Sequence, residues 1–349
     1  MISVDFVQGK LTKLKDALKG VEKLFVLPHD NPDPDSISCA VTLAAIVTQL
    51  FGVNAVARYN GIVGRAENRE MIRSLKLGIK RLKRKEIKSG DAIALVDCQP
   101  GTGNVTLPKN ANPIIVVDHH PLRDSTKVDF ADVREDYGAT ATVLAEYLMV
   151  SGLSMTTQLA TALCYGISSE TQKLGREATP HDLSVYLALF ADASKKILAQ
   201  IEYPRLKRQY FVTLNRALHQ AYVYKNAVVS YIGEINEPDF VPIVADLLIR
   251  CERISWSFVL GRFKNKMVVS LRTTKKDADA GNFLRQLIGK RGTAGGHDMI
   301  AGGQIPCTRL SEGGCETLQK ELALAFFKKL GHKDVTEWTP LLLQESAVS

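Results

Sequence analysis

The sequence predicts an α/β protein in two parts. A parallel-sheet N-terminal domain, residues 1–190, is joined by a helical connector, 191–225, to a smaller mixed-sheet α/β domain, 226–349. Three observations carry this reading. Residues 24–27, 92–96 and 114–117 are continuously aliphatic, as parallel strands covered on both faces are. Helical patterns separate them, and strands alternating with helices point to a doubly wound sheet. After residue 226 the composition shifts, and runs of alternating residues replace the continuous ones.

Taken in order, residues 10–22 form a helix leading into the strand at 24–27. Asp35 or Ser36 caps the next helix, 37–50, whose apolar positions give it a buried face. A second strand occupies 53–58, and the loop Gly61-Ile62-Val63-Gly64 precedes another helical stretch. The strands at 92–96 and 114–117 end at Asp97 and Asp118. Helices follow at 138–150 and 156–167, the second delivering Glu170 just past its end. Residues 181–224 are mainly helical, with a break near Tyr203-Pro204. Beyond them come a strand at 227–232 and a helix at 240–251. Residues 256–263 and 266–272 pair as a hairpin around Lys264-Asn265. A helix at 280–288 leads to a glycine-rich loop, 289–297, and to Ala301-Gly302-Gly303; the tail, 342–349, frays.

A length of 349 residues suits two cores. No stretch of about 20 apolar residues stands out as a membrane span, and the start lacks a secretory pattern, so a cytoplasmic protein is expected. Six scattered cysteines, none in a C-x-x-C pair, exclude zinc fingers and a disulfide framework and read as buried thiols. The net charge of +8 suits a phosphate-bearing substrate and equally an ordinary soluble surface. Its densest cluster, 80–85, reads as a solvated helix end or as a nucleic-acid contact.

The chemistry gathers just beyond the strands. The clusters are His29-Asp30-Asn31-Pro32-Asp33-Pro34-Asp35, then Asp97, then Asp118-His119-His120, then Ser168-Ser169-Glu170-Thr171. Open α/β sheets bind ligands outside the carboxyl ends of their strands. Pro32 and Pro34 stiffen the first cluster, aiming its imidazole and carboxylates toward one point. Asp33, Asp35, Asp97 and Glu170, with neutral His29 and His119, would offset the charge of two divalent cations. Mixed oxygen and imidazole ligation favours manganese, with magnesium, iron and cobalt as alternatives. Two cations about 3.5–4 Å apart suit phosphoester hydrolysis. Asp97 is central and would bridge them; His120 stays free for the phosphate or the leaving group. Singly, each of these residues is an ordinary cap, turn former or surface histidine, the class to which Asp30, Asn31 and Asp124 are assigned. Their joint spacing is what points to a metal site.

These residues resemble the DHH phosphoesterase superfamily. Its naming motif is Asp118-His119-His120; His29-x-x-Pro32-Asp33-x-Asp35, Leu95-Val96-Asp97 and Gly166-Ile167-Ser168-Ser169-Glu170-Thr171 resemble three others. Gly295-Gly296-His297-x-x-x-Ala301-Gly302 resembles the glycine-rich signature of the DHH-associated C-terminal domain, with Ser270-Leu271-Arg272 on the strand before it. The resemblance implies a two-manganese site between two α/β domains. It implies His29, Asp33, Asp35, Asp97, His119 and Glu170 as metal ligands, Asp118 orienting a neighbouring histidine, and His120 on the scissile phosphate. Glu170 departs from the usual Asp, and Thr293-Ala294 interrupt the usual glycine run.

Gly295, Gly296 and His297 would hold a terminal phosphate or nucleotide on their backbone amides, with Arg272 adding a bidentate contact. Arg65, Asn68 and Arg176 are further candidates for the cleft. The two-domain layout resembles nanoRNases, which act on short oligoribonucleotides, dinucleotides and 3′-phosphoadenosine 5′-phosphate. The implied partners are therefore a nucleotide or short oligonucleotide, with no membrane and with a homodimer from the family alone. Two alternatives stand beside this: a nucleotide-binding regulator with weakened catalysis, motivated by Glu170, and a RecJ-like single-strand exonuclease.

Overall fold

The computed structural model describes residues 3–109, 111–175, 178–308, 312–332 and 338–342, with only the backbone described at His297 and Glu312. The chain divides after Arg205 into two compact units.

The first unit contains α1 (Val4–Ala17), β1 (Lys23–Pro28), α2 (Pro34–Phe51), β2 (Asn54–Tyr59), α3 (Ala66–Ser74), β3 (Lys80–Arg81), β4 (Ala92–Val96), β5 (Pro113–Asp118) and β6 (Phe130–Val133). Helices α4 (Thr140–Val150), α5 (Thr157–Glu170), α6 (Pro180–Asp192) and α7 (Lys195–Glu202) complete it. The six strands lie in the order β3-β2-β1-β4-β5-β6, every neighbouring pair parallel. The order reverses between β1 and β4. Loops leaving those two neighbours diverge, opening a crevice at their carboxyl ends.

Alternate residues divide the sheet's two faces. Leu24, Val26, Ala94, Val96, Ile115 and Val117 pack in one core with residues of all seven helices. Phe25, Leu27, Ile93, Leu95 and Val116 face the other way, against Ile87, Cys98 and partly buried Leu82, Val105 and Leu107. A doubly wound sheet would carry helices on both faces; among the described residues the second face is covered by loops. The cause is composition: the β4–β5 connection carries Pro100, Gly101, Gly103 and Pro108, and Gly101 and Gly103 have positive φ.

Helix α2 begins earlier than residue 37, and its cap is neither Asp35 nor Ser36. Asp33 caps it: Ser36 N donates to Asp33 Oδ1 at 2.9 Å, and Asp33 N donates to Ser36 Oγ at 3.1 Å. Pro34 at the first helical position has no N–H to satisfy and a φ suited to the helix, which extends it back to Asp33. By length and composition α2 alone among the described helices could cross a membrane, but 72% of that window is buried inside the unit. The basic run is not a helix end. Lys80 and Arg81 pair with Arg58 and Tyr59 as the short edge strand β3. Strand β6 gave no sequence signal, because its four residues include Asp132, buried and ion-paired to Arg134 and Lys10. Glu170 belongs to the last turn of α5 rather than lying past it.

The second unit contains α8 (Arg208–His219), β7 (Ala221–Tyr224), β8 (Ala227–Glu234), α9 (Phe240–Leu248), β9 (Trp256–Phe263), β10 (Lys266–Thr273), α10 (Ala280–Ile288), β11 (Thr293–His297), β12 (Ile300–Pro306), α11 (Glu312–Lys329) and β13 (Thr339–Pro340). The stretch 191–225 thus divides, α7 lying in the first unit and α8 in the second. The sheet order is β11-β12-β10-β9-β8-β7-β13, with β8 and β9 parallel and the other pairs antiparallel. Helix α9 packs on one face and α10 and α11 on the other. The predicted glycine loop is partly strand: β11 pairs with β12 from Thr293↔Gln304 to His297↔Ile300. Of the tail, 342–349, all but Leu342 lies outside the described residues.

Helix α5 reaches the crevice by passing close to α2. A Cβ added at Gly166 would sit 2.6 Å from Ser38 Oγ, 3.2 Å from Pro34 O and 3.3 Å from Ala141 Cβ. Gly166→Ala should therefore cost about 1–3 kcal/mol through overpacking, read as a lower denaturant midpoint at unchanged slope; an unchanged midpoint contradicts this packing.

Candidate metal centre

The first group stands at the end of β1. His29 Nδ1 lies 3.0 Å from the carbonyl of Asp30, so that nitrogen must carry the proton and donate. Nε2 then faces Asp33 Oδ2 at 3.4 Å and Asp97 Oδ2 at 3.7 Å. Asp97 follows β4 directly in the left-handed region, φ 58°, a conformation Asp tolerates better than most residues. Its N–H donates to Val117 O, and Thr140 Oγ1 donates to its Oδ1 at 2.8 Å.

The second group follows β5. His119 Nδ1 donates to Tyr137 O at 3.1 Å, leaving the lone pair on Nε2. That Nε2 is 3.7 Å from Asp97 Oδ1, buried, and has no hydrogen-bond partner. His120 Nδ1 donates to Asp118 Oδ1 at 2.9 Å and lies 3.8 Å from Asp97 Oδ1. Two ligand-competent clusters result, His29-Asp33-Asp97 and Asp97-His119-His120, with Asp97 common to both. Asp35 and Glu170 belong to neither among the described residues. Asp35 is fully buried and accepts from Thr140 N at 2.9 Å and Ala141 N at 2.7 Å, capping α4, whose own Ala139 cannot.

Charge in this crevice is unbalanced. Burial, then Asp97 and Asp33, raise Asp35 well above the usual carboxylate range. Burial and Asp33 do the same to Asp97 against the opposing pull of His29. Burial, Asp33 and Asp35 push Glu170 up to about 8. Burial disfavours charge on His29, but Asp33 and Asp97 outweigh it and carry its pKa to about 10. Burial works upward on Asp33 too, and His29 and Ser36 still hold it low; its side chain keeps 38% exposure, which softens both effects. Burial and His120 lower His119, keeping its imidazole neutral.

A divalent cation fits these donors. It would partner the orphaned Nε2 of His119, replace the proton on His29 and relieve the repulsion among Asp35, Asp97 and Glu170.

Several positioning groups escaped sequence reasoning. Gln99 is fully buried; its Nε2 donates to Asp118 Oδ2 at 2.7 Å, while its Oε1 accepts from Arg123 N at 2.9 Å and Thr126 Oγ1 at 2.7 Å. It fastens the Asp118-His119-His120 turn to the β4 loop and leaves Asp118 Oδ1 for His120. Asp30 holds His29 through its carbonyl, and its carboxylate accepts from Thr106 N at 3.0 Å. Behind His119, Tyr137 is held by Arg134 and Glu146. A Gln two residues past a strand-end Asp carries no local signal; only the strand pairing that makes β4 and β5 neighbours could have found it.

In the second unit the Arg272 guanidinium is anchored by its own strand and by α9. Its Nε donates to Asp246 Oδ1 at 2.5 Å and its Nη1 to Ser270 Oγ at 2.8 Å and Leu271 O at 3.0 Å. Gly295 and Gly296 are exposed on β11, an edge strand. Gly296, φ 146°, lets backbones meet: a Cβ there would sit 2.2 Å from Ile300 O, and one at Gly281 would sit 2.1 Å from Gly296 O. The side chain of His297 lies outside what is described, as does Arg176. Arg65 precedes α3, and Asn68 is buried with Nδ2 donating to Pro32 O at 3.3 Å.

Residues 23–167 match the DHH family N-terminal domain, and residues 225–329 match the DHHA1 domain. The protein MJ1633 of Methanocaldococcus jannaschii is 35% identical over 300 residues, 85% of this chain and 60% of that one. A Deinococcus radiodurans protein named probable manganese-dependent inorganic pyrophosphatase is 32% identical over 160 residues, 46% of this chain and 50% of that one. The chain thus spans little more than half the length of these curated relatives. An exopolyphosphatase-related protein from Bacteroides fragilis shares the fold, with TM-score 0.69 at 13% identity, covering 93% of this chain and 98% of that one.

The charge imbalance sets a pH dependence. Glu170 is raised when folded, so it favours the folded state while protonated; that contribution is full below its ordinary 4.5 and lost as pH climbs to about 8. Manganese should therefore raise the melting temperature more at pH 8 than at pH 5.5, with proton release on binding. Thermal unfolding at both pH values checks this, and an equal gain at each would contradict it.

Proposed function

We propose that this chain, which belongs to the DHH superfamily by both of its domains, is a divalent-metal-dependent phosphoesterase acting on short oligoribonucleotides, dinucleotides or 3′-phosphoadenosine 5′-phosphate. The observation that carries this reading is Asp97, one buried carboxylate common to two ligand clusters. His29, Asp33 and Asp97 would hold one cation; Asp97 and His119, with Asp35 and Glu170 close in charge, would hold a second. Manganese is favoured by the oxygen and imidazole donors and by the name of the Deinococcus relative. When bound, such a pair supplies Lewis acidity that makes water a nucleophile near neutral pH and offsets phosphoryl charge.

The chain's own residues do the rest. His119, held neutral, keeps its Nε2 lone pair available as a ligand rather than as a proton carrier. Asp118 fixes the His120 ring by accepting from Nδ1. Burial disfavours the His120 cation, but Asp118 outweighs it and raises the pKa, so Nε2 can present a proton to a leaving oxygen. His120 keeps 39% exposure, which lets a substrate reach it. In the second unit, the outward backbone of β11 at Gly295 and Gly296, with His297, is the proposed substrate reader. Arg272, anchored through Ser270 and Ala301, is the proposed further phosphate contact beside it. Six free thiols, five of them buried, suit a reducing cytoplasm.

A screen of purified protein with manganese against dinucleotides, short oligoribonucleotides, 3′-phosphoadenosine 5′-phosphate and inorganic pyrophosphate tests this. Turnover of a nucleotide phosphoester is expected, with Asp97→Ala lowering it about 10³-fold or more. No turnover of any phosphate ester, or turnover that survives Asp97→Ala, overturns the reading.

A further inference from the structure

The basic run left over from the metal site begins on β3, in the same parallel sheet. Val26 pairs with Ala57, so Pro28 lies level with Tyr59; Tyr59 in turn pairs with Arg81. All three strands run parallel, so the chain leaves β3 from the same sheet edge at which His29 leaves β1. Two strand spacings, roughly 10 Å, separate them. Between residues 80 and 88 there are six cations, Lys80, Arg81, Lys83, Arg84, Lys85 and Lys88, against one acid, Glu86. All six are exposed.

The segment is built rather than loose. Leu82 N donates to Tyr59 O at 2.8 Å, and Leu82 packs with buried Ile87 on the second face of the sheet. Glu86 is spent internally: its Oε1 accepts from Arg58 Nε at 2.7 Å and its Oε2 from Lys83 N at 3.0 Å. Lys85 turns the chain in the left-handed region, φ 64°. A tight turn is thus pinned at both ends, with Lys83, Arg84 and Lys85 at its tip. The bland explanation is that basic residues guard an open sheet edge against pairing. Lys80 and Arg81, the paired residues, suffice for that; Lys83, Arg84 and Lys85 follow the end of the strand, whereas Lys88 sits in the Lys88–Asp91 turn just before β4.

We propose that the turn at Lys83, Arg84 and Lys85 binds the phosphates of a chain-like substrate that extend past the one being hydrolysed. This rests on the phosphoesterase reading above and narrows its substrate to a run of phosphates, carried by an oligonucleotide or by inorganic polyphosphate. A compact positive turn near a metal-binding crevice concentrates a polyanion and tracks its backbone without reading bases.

Fluorescence anisotropy with 5′-labelled, phosphorothioate-linked oligoadenylates of two, five and ten nucleotides tests it, on the full chain with manganese present. Binding should tighten about 10-fold from two to five nucleotides. Lys83→Gln/Arg84→Gln/Lys85→Gln should lose most of that gain, and its salt slope should fall by about 2. A wild type without a length gain, or a triple variant that keeps it while melting normally, overturns the proposal. Competition by polyphosphate and by unlabelled oligoadenylate at equal phosphate count tells which chain carries the gain. Hydrolysis is scored separately: loop-dependent binding without turnover of any ester would sink the phosphoesterase reading and leave the anion site standing.

Discussion

The structure turns on a buried carboxylate that must answer to two sides at once. Asp97 has His29 and Asp33 on one side and His119 and His120 on the other. A carboxylate taken out of water among others is costly unless countercharge meets it. The chain supplies part of that countercharge: Thr140 donates to Asp97, the first amides of α4 meet Asp35, and His29 takes a proton. What remains is a deficit of positive charge beside an imidazole nitrogen with no partner. A cation is the simplest group that answers both.

The scaffold makes this crowding affordable by spreading the rigidity over several elements. Strands β1 and β4 are neighbours where the sheet order reverses, so the first residues beyond them stand side by side before their loops part. Helix α4 aims its N-terminus at Asp35, and the local dipole favours the ionised carboxylate there. Gln99 and Tyr137 then fix the two histidines from behind, one through Asp118 and the other through a backbone carbonyl. The motif residues supply donors, and these outer residues decide where the donors point.

Much of this was legible in the sequence because it obeys local rules. Continuous aliphatic runs marked β1, β4 and β5, and the acids stood at their ends. The hairpin at Lys264-Asn265 and the helix Ala280–Ile288 were readable from alternation and periodicity. What was not legible depended on partners distant in sequence. Asp132 makes β6 buried only because Lys10 and Arg134 meet it. The basic run at 80–85 looked like a helix end because strand pairing with Arg58 and Tyr59 leaves no periodic trace over two residues. The pairing of Arg272 with Asp246, 26 residues away, likewise leaves no local signal. Glu170 was located by motif, yet its separation from both ligand clusters is a property of the end of α5 and not of the motif.

Anomalous scattering at the manganese edge, from crystals of the full chain grown with the metal, tests the central claim most directly. Two peaks are expected, one at His29 and Asp33 and one at His119, with the Asp97 carboxylate touching both. Density lacking any peak within reach of Asp97, or a single ion held by other residues, would contradict it.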